Sequence, residues 1–355
     1  MDWPLLAATL GLVAGGIVVL YSATHAAGTG PVFVKVRLLH AAAGMLALGV
    51  AAAIDYRVVV RVWRPILIGT VVLLAVVDVI GRTAMGAQRW IPLGPLGGFQ
   101  PSEIAKLAII IALAKLLESR ERWSFAGVAG LLVVVAIPTG LIIEQPDLGT
   151  ALVMLAIFAA MVFAAGAPVR VLAVLAGAAA GAAPVLWGLL RDYQRTRLTV
   201  FLDPGIDPLG AGYALIQSKI AVGSGQLWGK GLLAGTQSLL HFIPEQHTDF
   251  IFTVIGEELG FVGAAVMLAL FALWLWRGMA IAMQSKDRAG TLLAVGVVAM
   301  VVFHVFINVG MTVGLMPITG IPLPFISHGG TALVVMLAAT GLLLSIGMRR
   351  KKILF

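Results

Sequence analysis

The chain is predicted to be an all-α polytopic membrane protein of about ten transmembrane helices, with both termini cytoplasmic and a large extracytoplasmic loop before helix 8. Two observations predict the class and a third the orientation. The 355 residues are 60% hydrophobic and only 11% charged, with a mean hydropathy of +1.04, far outside the range of soluble domains. The apolar residues fall into runs of roughly twenty, the length needed to cross about 30 Å of hydrocarbon. Basic residues concentrate in alternate connections, as cytoplasmic loops require.

The segments are read at 5–23, 38–54, 62–80, 103–117, 125–143, 150–166, 168–190, 250–276, 291–315 and 330–347. The first is a retained helix and not a cleaved signal peptide, because MDWPLL carries Asp2 and no basic n-region. An even number of spans places both termini on one side. Arg57, Arg61, Arg64, Arg120, Arg122, Arg170, Arg277, Lys286, Arg288, Arg349, Arg350, Lys351 and Lys352 share that side. The opposite side has Lys35, Arg37, Arg82 and Arg89 in short connections, plus one long loop whose charge counts little. A net charge of +8 suits basic loops facing anionic lipid, and its scatter among membrane connections excludes nucleic acid as a partner. No cysteine is present, which excludes disulfides, thiolate metal sites and thiol nucleophiles. Asn308 is the only asparagine. No internal repeat is visible, so residues 1–355 read as one membrane domain without the inverted repeat of many transporters.

Three connections face outward on this reading: 81–102, 191–249 and 316–329. The second is too long to be structureless. Within it, GYALIQSKIAVGSG (212–225) has the apolar spacing of a short amphipathic helix near the interface. Gly223, Gly225, Gly229, Gly231 and Gly235 then punctuate a stretch expected to be flexible. From Gly314 to Gly330, three prolines and four glycines force a re-entrant, non-helical backbone, tolerated only where protein or water shields it.

Ionisable residues inside spans are expensive, roughly 2.5–3.5 kcal/mol each, so each needs a reason. Glu103 and Lys106 are three apart at the start of helix four, on one face. They form either a structural ion pair or part of a polar cavity that orients a catalytic group or binds phosphate. Arg89 and Trp90 are an interfacial anchor or a pyrophosphate ligand. Asp147 reads as a helix cap. Arg191, Arg195 and Arg197 with Tyr193 form a snorkelling belt or a phosphate-binding patch. Glu245, His247 and Asp249 precede span eight, with Glu257 and Glu258 about two turns deeper. Capping explains one acid there but not three ionisable groups together; a carboxylate at the water boundary beside a histidine is also a reasonable general base. His328 reads first as a hydrogen-bonded structural histidine.

Taken together, GAQRWIPLG (86–94), QPSEIAK (100–106), QPDLGTA (145–151), YALIQSKIAVGSGQLWGKG (213–231), GTQSLLHFIPEQHTDFIFTVIGEELG (235–260) and NVGMTVGLMPITGIPLPFISHGG (308–330) resemble the SEDS family of cell-wall polymerases, the FtsW/RodA/SpoVE family. The QSKIA and MPITGIPLP forms are more similar to its elongation branch, RodA, than to the division branch, FtsW. The family usually has Tyr where His328 stands and Ser where Thr331 stands.

The resemblance implies a peptidoglycan glycosyltransferase that polymerises lipid II at the outer face of the bacterial cytoplasmic membrane, working with a class B penicillin-binding protein in the elongation machinery. The family's essential aspartate falls on Asp249, and its paired Glu and Lys on Glu103 and Lys106. Asp249 would then be the catalytic base in an inverting transfer that expels undecaprenyl pyrophosphate. Arg89, Trp90, Arg195, Arg197, Lys219, Glu245 and His247 are supporting candidates. No set of residues has diagnostic metal-ligand spacing, although a divalent cation, Mg or Mn, could offset the pyrophosphate charge as Arg and Lys would. The alternatives are a lipid II flippase, the division paralogue and a non-catalytic scaffold. A flippase needs charge at midplane depth, and the charged motifs here crowd one face.

Overall fold

The computed structural model describes residues 1–350 except 26–27, 85–86, 93, 95–96, 121–122, 211 and 241; the side chains of 80, 82–84, 87–88, 125–126, 185–186 and 189 are likewise outside the description. Arg122, Lys351 and Lys352, which count towards the orientation, therefore lie outside the described residues. The elements are α1 (Trp3–His25), α2 (Gly30–Ala53), α3 (Tyr56–Arg61), α4 (Trp63–Ile80), β1 (Arg82–Ala84), β2 (Ala87–Pro92), β3 (Gly98–Phe99), α5 (Pro101–Glu118), α6 (Phe125–Glu144), α7 (Leu148–Ala164), α8 (Val169–Leu189), α9 (Asp192–Leu202), α10 (Tyr213–Ser224), α11 (Thr236–Leu239), α12 (Ile251–Met283), α13 (Arg288–Val313) and α14 (Gly330–Met348).

Each of the predicted apolar segments is a helix. Among the described residues, six helices are long and apolar enough to cross a membrane: α1, α2, α6 from Gly127, α12, α13 and α14. This is a multi-pass membrane protein. Helix α13 is central, packing against α5, α7, α10 and α12, while α14 packs against α2 and α1 against α12. One end of the bundle, the terminal end, is tied by ion pairs. Arg277 binds Asp2, Arg57 Nε lies 2.8 Å from Asp287, and Arg349 Nε lies 3.5 Å from Asp55. The other, the loop end, gathers the connections 81–102, 191–249 and 316–329.

The loop end differs from its sequence reading in three places. Among its described residues, the 81–102 connection holds a three-stranded antiparallel sheet in the order β1-β2-β3, with Ile91 opposite Phe99 and Pro92 opposite Gly98. Strands of two to six residues are too short to show a period of two against an apolar background. Arg37 is not in a connection. It lies inside α2, 1% exposed, and donates to the carbonyls of Ser327 (2.8 Å) and Phe325.

The third difference concerns the glycines. Helix α12 is broken at Gly260 (φ 64°, ψ −160°), and a break within a span frees backbone groups that cost several kcal/mol each if left unbonded. The glycine-rich stretch bonds them. The amides of Lys230 and Gly231 donate to the carbonyls of Glu257 and Glu258, both at 3.0 Å. The amides of Phe261 and Val262 donate to Gln226 (2.8 Å) and Leu227 (3.1 Å). Gly229 has φ +78°, and a β-carbon there would stand 2.1 Å from the Glu258 carbonyl oxygen. The glycines thus permit close approach, and the stretch expected to be flexible is docked into the break. Glu257, fully buried, completes the dock: it accepts from Lys230 Nζ (2.8 Å), the Thr236 and Ser238 hydroxyls (3.2 and 3.0 Å), and the Gln237 and Ser238 amides (2.9 and 3.2 Å).

Alanine at these glycines therefore has effects of opposite sign. Gly229→Ala meets immovable backbone at a left-handed φ and is expected to destabilise by about 2–3 kcal/mol or more. Gly223→Ala, on α10 with nothing within 4 Å of its β-carbon, is expected to be neutral or to stabilise by up to about 1 kcal/mol. Thermal unfolding of the detergent-solubilised variants measures both; equal melting temperatures would contradict the docking.

Candidate active site

Three stretches meet at the loop end: the 145–150 turn, the 242–250 turn and the re-entrant 319–328 segment. Asp249 lies where they converge. The 242–250 turn is closed by Glu245, whose φ of 52° is unusual for a residue with a side chain. The Glu245 carbonyl accepts the amides of Thr248 and Asp249, each at 3.1 Å. The N-cap of α12 falls one residue later, on Phe250, with no side-chain cap bond. Capping therefore does not account for Asp249.

Asp249 is held by its main chain. Its carbonyl accepts from Asn308 Nδ2 at 2.8 Å, and the same nitrogen donates to the Ile321 carbonyl at 2.7 Å. Gly320 (φ +72°) passes beside the carboxylate, where a β-carbon would lie 3.3 Å from Oδ2. Desolvation and the neighbouring Glu245 charge push the Asp249 carboxyl up to about 6, with Arg197 pulling the other way. A carboxylate that ionises near neutrality is matched to general-base work.

The 145–150 turn is a positively braced cap. Asp147 accepts from the Thr150 amide (3.2 Å) and hydroxyl (2.9 Å) at the start of α7. Arg89 on β2 donates Nε to the Gln145 carbonyl (2.8 Å) and also binds the Pro146 carbonyl, with NH1 3.9 Å from Asp147. Trp90 packs over Gly98 of β3. Among the arginines of α9, Arg197 is exposed, with its guanidinium 5.7 Å from the Tyr193 ring centroid. Arg195 instead donates to the carbonyls of Trp187 (3.1 Å) and Gly188 (2.9 Å) at the end of α8. Lys219 on α10 is exposed and lies across Gly314 at the C-terminus of α13, where a cation suits the helix dipole.

Beneath this surface Glu103 and Lys106 are 2% and 1% exposed and paired at 2.8 Å. The structure adds a third member, His304 of α13, whose Nε2 is 2.8 Å from Lys106 Nζ. His304 Nδ1 lies 2.7 Å from the Met300 carbonyl. A carbonyl only accepts, so Nδ1 carries the proton and Nε2 accepts from the ammonium. Sequence gave no signal for His304, which sits alone on an apolar face.

His247 and His328 form an aromatic cluster with Phe33 of α2, at ring-centroid distances of 5.3 and 4.9 Å from Phe33. The His328 amide donates to the His247 carbonyl at 2.9 Å. Burial and the neighbouring Arg37 and His247 push His328 down to about 4, so it is neutral at physiological pH. Phe33, Glu245 and His247 line a cleft of about 230 Å³ that opens between the 242–247 turn and the α1–α2 junction. Asp249, Arg197, Glu245 and His247 are thus gathered at one place, whereas Glu103 and Lys106 lie below it and Arg195 is turned towards α8.

Comparison with known proteins is consistent along the whole chain. Residues 3–352 match the family model for Cell cycle protein, FtsW/RodA/SpoVE. The peptidoglycan glycosyltransferase MrdB of Escherichia coli strain K12 is 44% identical over 315 residues, 87% of this chain and 84% of that one. The probable peptidoglycan glycosyltransferase FtsW of Geobacter sp. strain M18 is 38% identical over 348 residues, 95% of this chain and 94% of that one. A chain solved in a study of the structural coordination of polymerization and crosslinking by a peptidoglycan synthase complex superposes with a TM-score of 0.84 at 35% identity, covering 98% of this chain and 97% of that one. The rod shape determining protein RodA of Thermus thermophilus superposes with a TM-score of 0.74 at 32% identity, covering 99% and 98%. Matched almost end to end in both sequence and fold, the chain belongs to the FtsW/RodA/SpoVE family of cell cycle proteins.

Proposed function

We propose that the chain is a peptidoglycan glycosyltransferase that polymerises lipid II at the outer surface of the bacterial cytoplasmic membrane, in the manner of the elongation branch of its family. The observation that carries the assignment to a site is Asp249: a half-buried carboxylate at the loop end, not a helix cap, whose proton affinity is raised to about 6. Asp249 takes the proton from the acceptor sugar hydroxyl as that oxygen attacks the anomeric carbon of the donor. The bond to undecaprenyl pyrophosphate breaks with inversion, and the pyrophosphate carries away the bonding pair. General-base help of this kind is worth about 100- to 10,000-fold. The exposed cations Arg197 and Lys219 offset charge growing on the leaving group.

Among the described residues there is no group of three metal-ligating side chains. A cation of the magnesium class binds chiefly through substrate phosphates, with one or two carboxylates at most. Such a cation would supply electrostatic stabilisation of the pyrophosphate. A class B penicillin-binding protein is the proposed partner, which would crosslink the glycan made here.

Asp249→Asn preserves size and is expected to give a folded, membrane-inserted protein that makes no glycan from lipid II. In the unsubstituted protein the base must be ionised, so the rate rises with pH through about 6 and at pH 5 is about tenfold below its plateau. Glycan synthesis by the Asn variant, or a flat profile between pH 5 and 7, would remove Asp249 from the chemistry.

Glu103→Ala leaves Lys106 buried without its counter-charge, a loss of about 3–5 kcal/mol for pairs of this kind, so folded yield and activity both fall. Glu103→Gln with Lys106→Met is expected to recover the folded yield. Full recovery of polymerisation in that double variant would mark the pair as structural only.

Orientation is checked by thiol labelling of this cysteine-free chain. Leu209→Cys, in a position 89% exposed, is expected to react with an impermeant reagent outside intact cells. Lys286→Cys, exposed at the terminal end, is expected not to react, and the reverse pattern would place the site on the cytoplasmic side.

A further inference from the structure

Asn308 is the only asparagine in the chain and is fully buried on α13. A side-chain amide inside a span is tolerated where its hydrogen bonds are made. Its Nδ2 donates to two stretches far apart in sequence, to the Asp249 carbonyl at 2.8 Å and the Ile321 carbonyl at 2.7 Å. Both carbonyls lie outside regular ladders. The Thr253 amide closes on Phe250 at 3.0 Å, which leaves the Asp249 carbonyl out of the α12 series. Ile321 lies in GIPLP, where Pro322 and Pro324 have no N–H to build a turn. Gly320, the neighbour of Ile321, is the backbone against which the Asp249 carboxylate rests. One amide therefore sets both the main chain of Asp249 and the surface beside its carboxylate.

We infer that Asn308 is a positioning residue for the glycosyl-transfer reaction: by joining the main chains of Asp249 and Ile321 it holds the Asp249 carboxylate at a fixed place beside Gly320, oriented towards the acceptor hydroxyl. The inference rests on the assignment of Asp249 as the base. Asn308 touches no reacting atom. The helix that carries it is anchored independently of the loops, because His304, one turn below, is bonded to Lys106, and Lys106 to Glu103 on α5. Asn308 Oδ1 has no hydrogen-bond partner among the described residues. The side chain is therefore retained for its donors, and a carboxylate at 308 would face two carbonyls.

The test compares Asn308→Ala, Asn308→Ser and Asp249→Asn, each purified with its penicillin-binding partner, in steady-state lipid II polymerisation from pH 5 to 8, per folded molecule. A displacement of about 1 Å at a catalytic group can cost about 100-fold. For Asn308→Ala, kcat is expected to fall by about that factor while KM for lipid II changes less than about threefold. The acid limb of the profile is expected to move below its unsubstituted position, because a loosened turn admits water to Asp249. The other charged groups that face it, Glu245 of its own turn, Arg197 of α9 and Asp147 at the α7 cap, are unchanged. Asn308→Ser, which keeps one donor, is expected to recover part of kcat. A native kcat and native acid limb in the folded fraction of both Asn308 variants, with Asp249→Asn inactive, would overturn the inference and leave the base intact. Activity in Asp249→Asn would overturn the base assignment, and this inference with it.

Discussion

A peptide group left unbonded in hydrocarbon costs several kcal/mol, and the loop end of this bundle is arranged around that constraint. Two irregular stretches enter the membrane-spanning helices: the break in α12 at Gly260 and the re-entrant segment at 319–328. The break is bonded by the backbone of 226–231. The re-entrant segment is bonded partly by its own backbone and the His247 carbonyl, and partly by side chains, Arg37 from α2 and Asn308 from α13. Phe325 holds a φ of 63°, an outlier for an aromatic residue that persists only where its surroundings over-determine it; the guanidinium on its carbonyl is part of that restraint. Polar residues inside these helices thus serve the backbone of the loops. The loops are held firmly enough in turn to place a carboxylate.

The carboxylates of the 245–258 stretch divide by how completely their oxygens are bonded. Glu257 accepts five hydrogen bonds, one of them from Lys230. It could not take a proton from a sugar without breaking the dock that closes the α12 break. Asp249 sits at the boundary with Thr248 as its side-chain neighbour and Glu245 as a like charge. Burial, a nearby anion and few donors raise its proton affinity, so the fully bonded acid and the proposed base stand eight positions apart. The glycines between α10 and α11 make this division work, since they let the Glu257 dock form without a side chain in the way.

Much of this was legible in the sequence because hydropathy and charge are local properties. A run of about twenty apolar residues is committed to the membrane whatever surrounds it, and each predicted segment is a helix here. The cluster of Glu245, His247 and Asp249 could be singled out because ionisable groups gather there next to an apolar run, and the family resemblance pointed to Asp249 among them. The small sheet at 82–99 was not legible, because its short strands are specified by pairing with one another and not by a repeating pattern. The supposed flexibility of the glycine-rich stretch failed for a related reason. Glycine permits both freedom and close approach, and only the partner surface decides between them.

By itself the sequence determined the membrane class, the place of the apolar helices, the difference in basic charge between the two ends, and the acids available for chemistry. It could not determine what Arg37, His304 and Asn308 do. Their partners lie 290, 198 and 59 residues away respectively, at Ser327, Lys106 and Asp249. A lone Arg, His or Asn in an apolar run reads as a cost without a stated return until the opposing helix is in place. Tertiary structure decided those roles, because a buried polar side chain is explained by the hydrogen bonds it completes, and those bonds run between helices rather than along the chain.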